Sequence, residues 1–145
     1  MRQEDLIIAV VDGQGGGIGK SLVERLKKRY PSLHVRALGT NSEATGRMLR
    51  AGADDGATGE NAVVVNVSKA HIVMGVVTIL AANSLLGEIT PAMARAVGES
   101  SAVKILIPVD RCGIRLPAEP GRISHCLDRA MELLEEELAR LCQAP

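Results

Sequence analysis

Aromatic side chains are almost absent from this sequence of 145 residues, which contains no Phe, no Trp and a single Tyr, Tyr30. Proteins that bind single-stranded nucleic acid stack bases on aromatic rings, and this device is missing here. The sequence also lacks an excess of charge, because 17 Lys and Arg residues balance 17 Asp and Glu residues. Binding to nucleic-acid phosphates depends on clustered positive charge. These two absences predict that the protein has no nucleic-acid partner.

Cysteine pairs and long apolar segments are missing as well. Cys112, Cys126 and Cys142 form no C-x-x-C pair, which is typical of a reducing compartment and gives no sign of a metal site. The longest apolar run, residues 72–82, is interrupted by a glycine and a threonine and is too short to span a bilayer. The opening letters, MRQEDLIIAVV, do not have the pattern of a signal peptide. The sequence therefore predicts a cytoplasmic protein with no metal and no membrane contact.

The most informative segment is residues 6–30, LIIAVVDGQGGGIGKSLVERLKKRY. An apolar run is followed by five glycines within seven positions, and then by apolar residues at the spacing of one helix face. This pattern predicts a buried strand, a tight turn and a helix. The first N–H groups of such a helix lack internal partners, its dipole is positive there, and glycines let a ligand approach the backbone. The turn therefore predicts an anion site, in the first place for a phosphate group.

The rest of the chain alternates between β-branched runs and helical patterns. Strands are predicted over residues 33–38, 53–57, 71–76 and 103–109, and a short edge strand over 113–116. Helical segments are predicted over 41–51, 59–69, 76–88, 90–97 and 124–142. Their expected caps are Thr40 with Glu43, Thr90 with Pro91, and Ser124. The alternation predicts one α/β domain over residues 1–145, with three layers and a mainly parallel five-stranded sheet.

Two segments predict an additional interface. Residues 59–69 contain the β-branched residues of a strand, but too few residues separate them from the next strand for a crossover between parallel strands. We therefore predict a buried helix there, apolar nearly all round. Together with residues 76–86 it carries more apolar surface than one layer on a five-stranded sheet can cover, which predicts a homodimer.

The candidate site residues follow from the architecture, because ligands of parallel sheets bind at the carboxyl ends of the strands, where the strand order reverses. We expect these residues at that edge to contact the ligand: Gly13, Gln14, Gly15, Gly16, Gly17, Ile18, Gly19, Thr40, Asn41, Ser42 and Gly75. The three polar side chains after the second strand either bind a ribose or a 2′-phosphate, or only cap the next helix. Glu88 and Asn83 are further candidate contacts.

Catalytic candidates are few. Cys112 and Asp110 follow the fifth strand, and Arg111 beside the thiol would favour the thiolate. An unreactive loop cysteine is the alternative interpretation. The sequence assigns no reaction to the protein.

The spacing of the glycines fits one of three known motifs without a gap. G-x-G-x-x-G fails at its third glycine, whereas G-x-x-x-G-x-G fits as Gly13, Gly17 and Gly19. VVDGQGGGIGKSLVERL thus resembles the opening of short-chain dehydrogenases, in which these glycines face NAD or NADP. The resemblance implies one of these two cofactors. It does not carry over the chemistry, because the Tyr-x-x-x-Lys pair of that family has no counterpart here.

The third motif is the P-loop, G-x-x-x-x-G-K-S/T. Gly19, Lys20 and Ser21 supply its end, and Asp110 follows a strand as the magnesium-binding Asp would. The first glycine of that motif falls on Gln14, however. If Lys20 is an ordinary first-turn helix residue, its ammonium group lies in solvent.

Over nearly its whole length the sequence is similar to a small bacterial family of unassigned function, the domain-of-unknown-function family 3842. The segments that suggest this are VVDGQGGGIGK, LGTNSEAT, GADDGATGEN, SLLGEITPAM and KILIPVDRCGI. The resemblance implies a Rossmann-like fold and no known activity.

Three functions therefore compete. The first is a nucleotide-binding protein, for NAD or NADP, with the glycine turn around the phosphates. The second is a P-loop-like NTP-binding enzyme that uses Lys20, Ser21 and Asp110. The third is a regulatory or scaffolding homodimer in which the glycines only allow close packing.

Overall fold

The structure, a computed structural model, describes residues 1–118 and 121–143. Its strands are β1 (Ile7–Asp12), β2 (His34–Gly39), β3 (Asp55–Thr58), β4 (Ile72–Val76) and β5 (Val103–Ile107). Its α-helices are α1 (Gly17–Arg29), α2 (Ser42–Arg50), α3 (Glu60–Val67), α4 (Pro91–Glu99) and α5 (Ile123–Leu141). Two short 3-10 helices span Gln3–Asp5 and Val77–Leu80.

All five strands belong to one parallel sheet, in the order β3-β2-β1-β4-β5. Strands β1 and β4 are buried along almost their full length, as strands covered on both faces must be. Helix α1 contacts α2 and α5, and α3 packs on α4, so that two helix layers enclose the sheet. The predicted α/β architecture is confirmed.

The strand order places a crevice between β1 and β4. From β1 the chain moves outward to β2 and β3, and it then crosses back to β4 and continues outward to β5. The order therefore reverses between β1 and β4, and the carboxyl ends of those two strands open onto the position where such sheets bind ligands. Register aligns Asp12 of β1 with Gly39 of β2, so the glycine turn and the turn after β2 lie side by side.

The helix caps differ in part from those that the sequence predicted. Thr40 does not cap α2; the side chain of Asn41 accepts the hydrogen bond from the Ala44 N–H instead. The last helix begins at Ile123, with Arg122 at the N-cap position and no side-chain cap, so the Ser124 prediction was wrong. Thr90 caps α4 as predicted, since its hydroxyl accepts from the Met93 N–H.

The burial of side chains corrects a second group of sequence predictions. Residues 59–69 do contain a helix, but α3 buries Val63 and Val67 and exposes Val65, so it is not apolar and buried on all sides. Residues 77–89 form the 3-10 helix Val77–Leu80 and a series of turns rather than one helical segment. No strand forms over residues 113–116.

The apolar surface that predicted a homodimer is largely covered within one chain. Val76, Ile79 and Leu85 are buried, and α4 packs on α3. Val65, Leu80 and Leu86 remain exposed, and Leu86 most of all, at 96%. The homodimer stays a prediction. Among the described helices, none combines the length and hydrophobicity that a membrane crossing requires.

Two adjacent residues of α2 give a direct test of this packing. Met48 is fully buried, whereas Leu49 is 41% exposed. We expect Met48→Ala to lower the free energy of unfolding by about 2–5 kcal/mol, because it leaves a cavity in the core. Leu49→Ala is the matched control and should cost less than about 1 kcal/mol. Urea denaturation of both variants measures this, and equal losses would contradict the orientation of α2.

Candidate functional site

A cavity of about 230 Å³ lies at the crevice between β1 and β4. The glycine turn, residues 12–18, forms one wall. The rest of the lining comes from the last residue of β4 and from residues that follow β4 and β5, namely Val76, Thr78, Leu85, Val109 and Arg111. The cavity is thus built from the carboxyl ends of three strands.

Three backbone N–H groups of the turn have no acceptor among the described residues: those of Gly15, Gly17 and Ile18. The other N–H groups of the turn are used, since Gly16 donates to the Gly13 carbonyl at 3.0 Å and Lys20 donates to the Gly16 carbonyl. Helix α1 has no acidic residue in its first turn and no side-chain cap at Gly16. The positive end of its dipole lies at the cavity wall, and the acid bonded to it is Asp12, at the end of β1, through the Gly19 N–H.

The glycines of the turn divide into two groups, which a hypothetical Cβ atom distinguishes. At Gly13 it would lie 2.6 Å from Thr40 Oγ1, and at Gly19 it would lie 2.7 Å from Asp12 Oδ2. Gly16 has φ +72°, and its Cβ would lie 2.8 Å from the Ala44 Cα. These three glycines are required by packing or backbone conformation.

Gly15 and Gly17 form the second group, because a Cβ atom at either position would meet nothing within 4 Å. Neither residue has a positive φ. Nothing in the described part of the chain requires glycine there, so only these two leave space beside their own unpartnered N–H groups. Gly75, the remaining predicted glycine, is a packing residue, with its Cβ position 2.6 Å from the Val11 carbonyl oxygen, and it does not line the cavity.

Asp12 holds the two ends of the turn together. Its Oδ1 accepts from the Gly13 N–H at 2.8 Å, and its Oδ2 accepts from the Gly19 N–H at 2.6 Å. The side chain is buried, and this burial raises the pKa of the carboxyl above its usual value, while the two N–H donors oppose the rise and nearby Glu88 adds to it. Asp12 caps α1 from within the fold, a role that its sequence position did not reveal.

Thr78 contributes a buried hydroxyl with no partner among the described residues. The residue is 0% exposed and lines the cavity, and its carbonyl accepts from the Ser84 hydroxyl at 2.6 Å. A buried polar group without a hydrogen bond costs about 1–3 kcal/mol. Such a group beside a cavity points to a ligand that completes its bonding.

The three residues after β5 do not act together. Arg111 lines the cavity and forms no ion pair with any described residue, so it supplies positive charge there. Asp110 does not line the cavity, and its Oδ1 accepts from the Leu116 N–H at 2.9 Å. Cys112 is exposed, has φ +57° and also lies outside the cavity lining. The structure therefore does not bring the two predicted catalytic residues to the ligand position.

The turn after β2 is held by an acid from a distant loop. Glu88 Oε1 accepts from the Thr40 hydroxyl at 2.6 Å, from Asn41 Nδ2 at 2.8 Å and from the Gln14 N–H at 2.9 Å. Of these donors, the Thr40 hydroxyl contributes most to holding the pKa of the Glu88 carboxyl below its usual value. Ser42, the third predicted polar residue, is exposed at the first position of α2.

The loop that carries Glu88 has an unusual backbone. Asn83, Leu85 and Leu86 have φ of 66°, 54° and 56°, a backbone conformation that residues other than glycine seldom adopt. Each such residue costs on the order of 1–3 kcal/mol, and strained residues of this kind cluster at ligand clamps and switches. The hydrogen bonds of Glu88 to Gln14, Thr40 and Asn41 help to hold this conformation.

Lys20 separates the dinucleotide interpretation from the P-loop interpretation. Its ammonium group lies 3.8 Å from Glu24 Oε1, and the residue does not line the cavity. The described residues also contain no group of three or more His, Cys, Asp or Glu side chains that could hold a metal ion.

The family described as "Domain of unknown function (DUF3842)" matches residues 7–139. The chain belongs to this family. No curated protein matches it. The part of the chain that the DUF3842 family matches contains every residue that lines the cavity, so the site belongs to the family domain rather than to a terminal addition.

Gly16 and Gly17 are adjacent in this DUF3842 chain, but the fold requires glycine at the first position and not at the second. Gly16→Ala should lower the free energy of unfolding by at least about 1–2 kcal/mol, because alanine is strained at positive φ and its Cβ meets Ala44. Gly17→Ala should change it by no more than about 0.5 kcal/mol, since the added methyl group meets no neighbour. Thermal denaturation compares the two, and a similar loss in both would refute the division.

Thiol labelling tests Cys112. Because it is exposed and Cys126 is buried in α5, we expect Cys112 to react with a thiol reagent in the native protein well before Cys126. Mass spectrometry of the partly labelled protein, with Cys112→Ser as the control, gives the order. Inertness of Cys112 until unfolding would remove it as a catalytic candidate.

Proposed function

We propose that this protein binds a nucleotide, in the first place NAD or NADP, and that its phosphate groups bind to the N–H groups of Gly15, Gly17 and Ile18. The observation that carries the proposal is the position of these three unpartnered donors, at the positive end of α1 and on the wall of a cavity. A phosphate oxygen accepts from such N–H groups, and the helix dipole favours its negative charge.

Three further features of the cavity support an anionic ligand. Gly15 and Gly17 leave space on the side from which a phosphate would approach the backbone. Arg111 also lines the cavity and adds a positive charge. The Thr78 hydroxyl can donate to an oxygen of the ligand and would thereby gain its missing hydrogen bond.

The size of the cavity limits which part of the ligand it encloses. At about 230 Å³ it lies below the roughly 300–1,000 Å³ that is usual for pockets holding a whole drug-sized ligand. The phosphate groups and their nearest neighbours would fit inside, and the remainder of a dinucleotide would extend along the carboxyl edge of the sheet. We propose binding and no reaction, because neither Cys112 nor Asp110 lines the cavity.

A thermal-shift scan tests the proposal with NAD, NADP, and ATP or GTP with magnesium. A ligand at about 100 times its dissociation constant adds roughly 2.7 kcal/mol to stability, which is several degrees for a domain of this size. We expect a shift with NAD or NADP that Gly17→Val abolishes, because the side chain would occupy the phosphate position. Lys20→Ala should leave the shift unchanged, since Lys20 lies outside the cavity lining.

Gly98→Val is the matched control. Gly98 is exposed on α4, has no positive φ, and a Cβ atom there would only reach Leu80 at 4.0 Å. It should therefore keep the ligand shift. A magnesium-dependent shift with ATP or GTP that Lys20→Ala abolishes would favour the P-loop-like enzyme instead. If none of the four nucleotides gives a shift, the nucleotide-binding proposal fails and the scaffolding hypothesis is favoured.

A further inference from the structure

The carboxylate of Glu88 lies at the end of β2, although no acidic residue directly follows that strand in the sequence. In dinucleotide-binding sheets of this topology, an Asp or Glu in this position accepts hydrogen bonds from the ribose hydroxyls. Here β2 ends at Gly39 and is followed by Thr40 and Asn41. Glu88, from the loop after β4, brings its carboxylate to both of these side chains, at 2.6 and 2.8 Å.

Only one oxygen of this carboxylate is used. All three donors, the Thr40 hydroxyl, the Asn41 amide and the Gln14 N–H, bind Oε1. Oε2 has no donor among the described residues, and Glu88 is only half-buried. The carboxylate is therefore fixed in position and keeps an acceptor oxygen for a ligand.

The carboxylate does not itself line the cavity, but it is bonded to a lining residue beside the proposed phosphate position. Gln14, whose N–H binds Glu88, directly precedes Gly15, the first of the residues with an unpartnered N–H group. The ribose of a nucleotide is attached to its phosphate. A ligand with its phosphate on Gly15 and Gly17 can thus present ribose hydroxyls to the side of the turn on which Glu88 lies.

Charge at this end of the site is negative. The hydrogen bonds to Glu88 lower the pKa of its carboxyl, which keeps it ionised at neutral pH, and Asp12 lies near enough for their charges to interact. Glu43 in the first turn of α2 is paired with Arg47 at 4.0 Å and therefore adds little net charge. Arg111 follows β5, on the other side of β1 from β2. A phosphate on the ribose would thus meet the negative charges of Glu88 and Asp12.

We infer that Glu88 is the residue that determines ligand specificity at this site, binding an unmodified ribose through Oε2 and excluding a 2′-phosphate. This inference rests on the proposed nucleotide-binding function and narrows it to NAD or another nucleotide with a free 2′-hydroxyl. Of the two sequence-based interpretations of Thr40, Asn41 and Ser42, ligand contact or helix capping, it replaces the first, because Thr40 and Asn41 bind the acid instead.

Isothermal titration of the parent protein with NAD, NADP and the 2′-deoxy form of NAD tests this. We expect NAD to bind at least about tenfold more tightly than NADP, because NADP brings like charges together. The 2′-deoxy form should bind about tenfold more weakly than NAD, because a hydrogen bond to a charged acceptor is lost. These measurements require no variant.

Glu88→Gln then separates charge from structure. The variant keeps an oxygen for the Thr40 and Gln14 donors and removes the charge, so the ratio of NADP to NAD dissociation constants should fall to about one. Glu99→Gln, an exposed acid paired with Arg95 on α4, is the control and should keep the parent ratio. A purely structural role for Glu88 would weaken both ligands equally and leave the ratio unchanged.

The outcomes distinguish a failure of the Glu88 inference from a failure of the nucleotide-binding proposal. If the parent binds NAD and NADP equally, or if Glu88→Gln binds both and keeps the parent ratio, the inference fails while nucleotide binding stands. If no nucleotide binds, both fail. Should Glu88→Gln not fold, the NAD, NADP and 2′-deoxy affinities of the parent decide the matter by themselves.

Discussion

The two hydrogen bonds of the Asp12 carboxylate are the constraint on which the site depends. They join Gly13 and Gly19, the first and last glycines of the turn, to the end of the central strand. With both ends fixed, the backbone between them forms a loop, and the N–H groups of Gly15, Gly17 and Ile18 are left without an acceptor at the cavity wall. Burial of the carboxylate opposes this arrangement, and the two N–H donors offset that cost. The turn is thus held by an anion that belongs to the fold itself.

Internal anions of this kind also determine what else the turn can bind. Asp12 uses two N–H groups and Glu88 uses a third, that of Gln14, so each acid occupies its own donors and none of the three that remain. An anion bound as proposed would use those three while two carboxylates lie nearby. Arg111 and the Thr78 hydroxyl also line the cavity and would balance this repulsion. The ionisable side chains that line the cavity are thus one acid, Asp12, and one base, Arg111.

Local sequence patterns predicted the elements well because their causes are local. An apolar run before clustered glycines specifies a buried strand and a turn, and the Thr90-Pro91 pair specifies a helix start. The failures have distant causes. Thr40 fits a capping box, yet its hydroxyl donates to Glu88, 48 residues away in sequence, and Asn41 caps the helix in its place. The unpartnered hydroxyl of Thr78 likewise cannot be recognised in the sequence, because it depends on the absence of a hydrogen-bond partner in the folded protein. Propensity rules evaluate neighbours along the chain, whereas this site is assembled from four separate segments.

The glycine motif itself shows why sequence spacing identifies a turn more reliably than it identifies a ligand. Of the three glycines that fit G-x-x-x-G-x-G, Gly13 and Gly19 are needed for packing against Thr40 and Asp12, and only Gly17 borders open space. Gly15 borders open space too but is not part of that motif, and Gly16 is required by its positive φ. A match to the spacing therefore reports mainly that a strand and a helix approach closely. The evidence for a ligand comes instead from glycines that the fold does not require, beside N–H groups that it does not use.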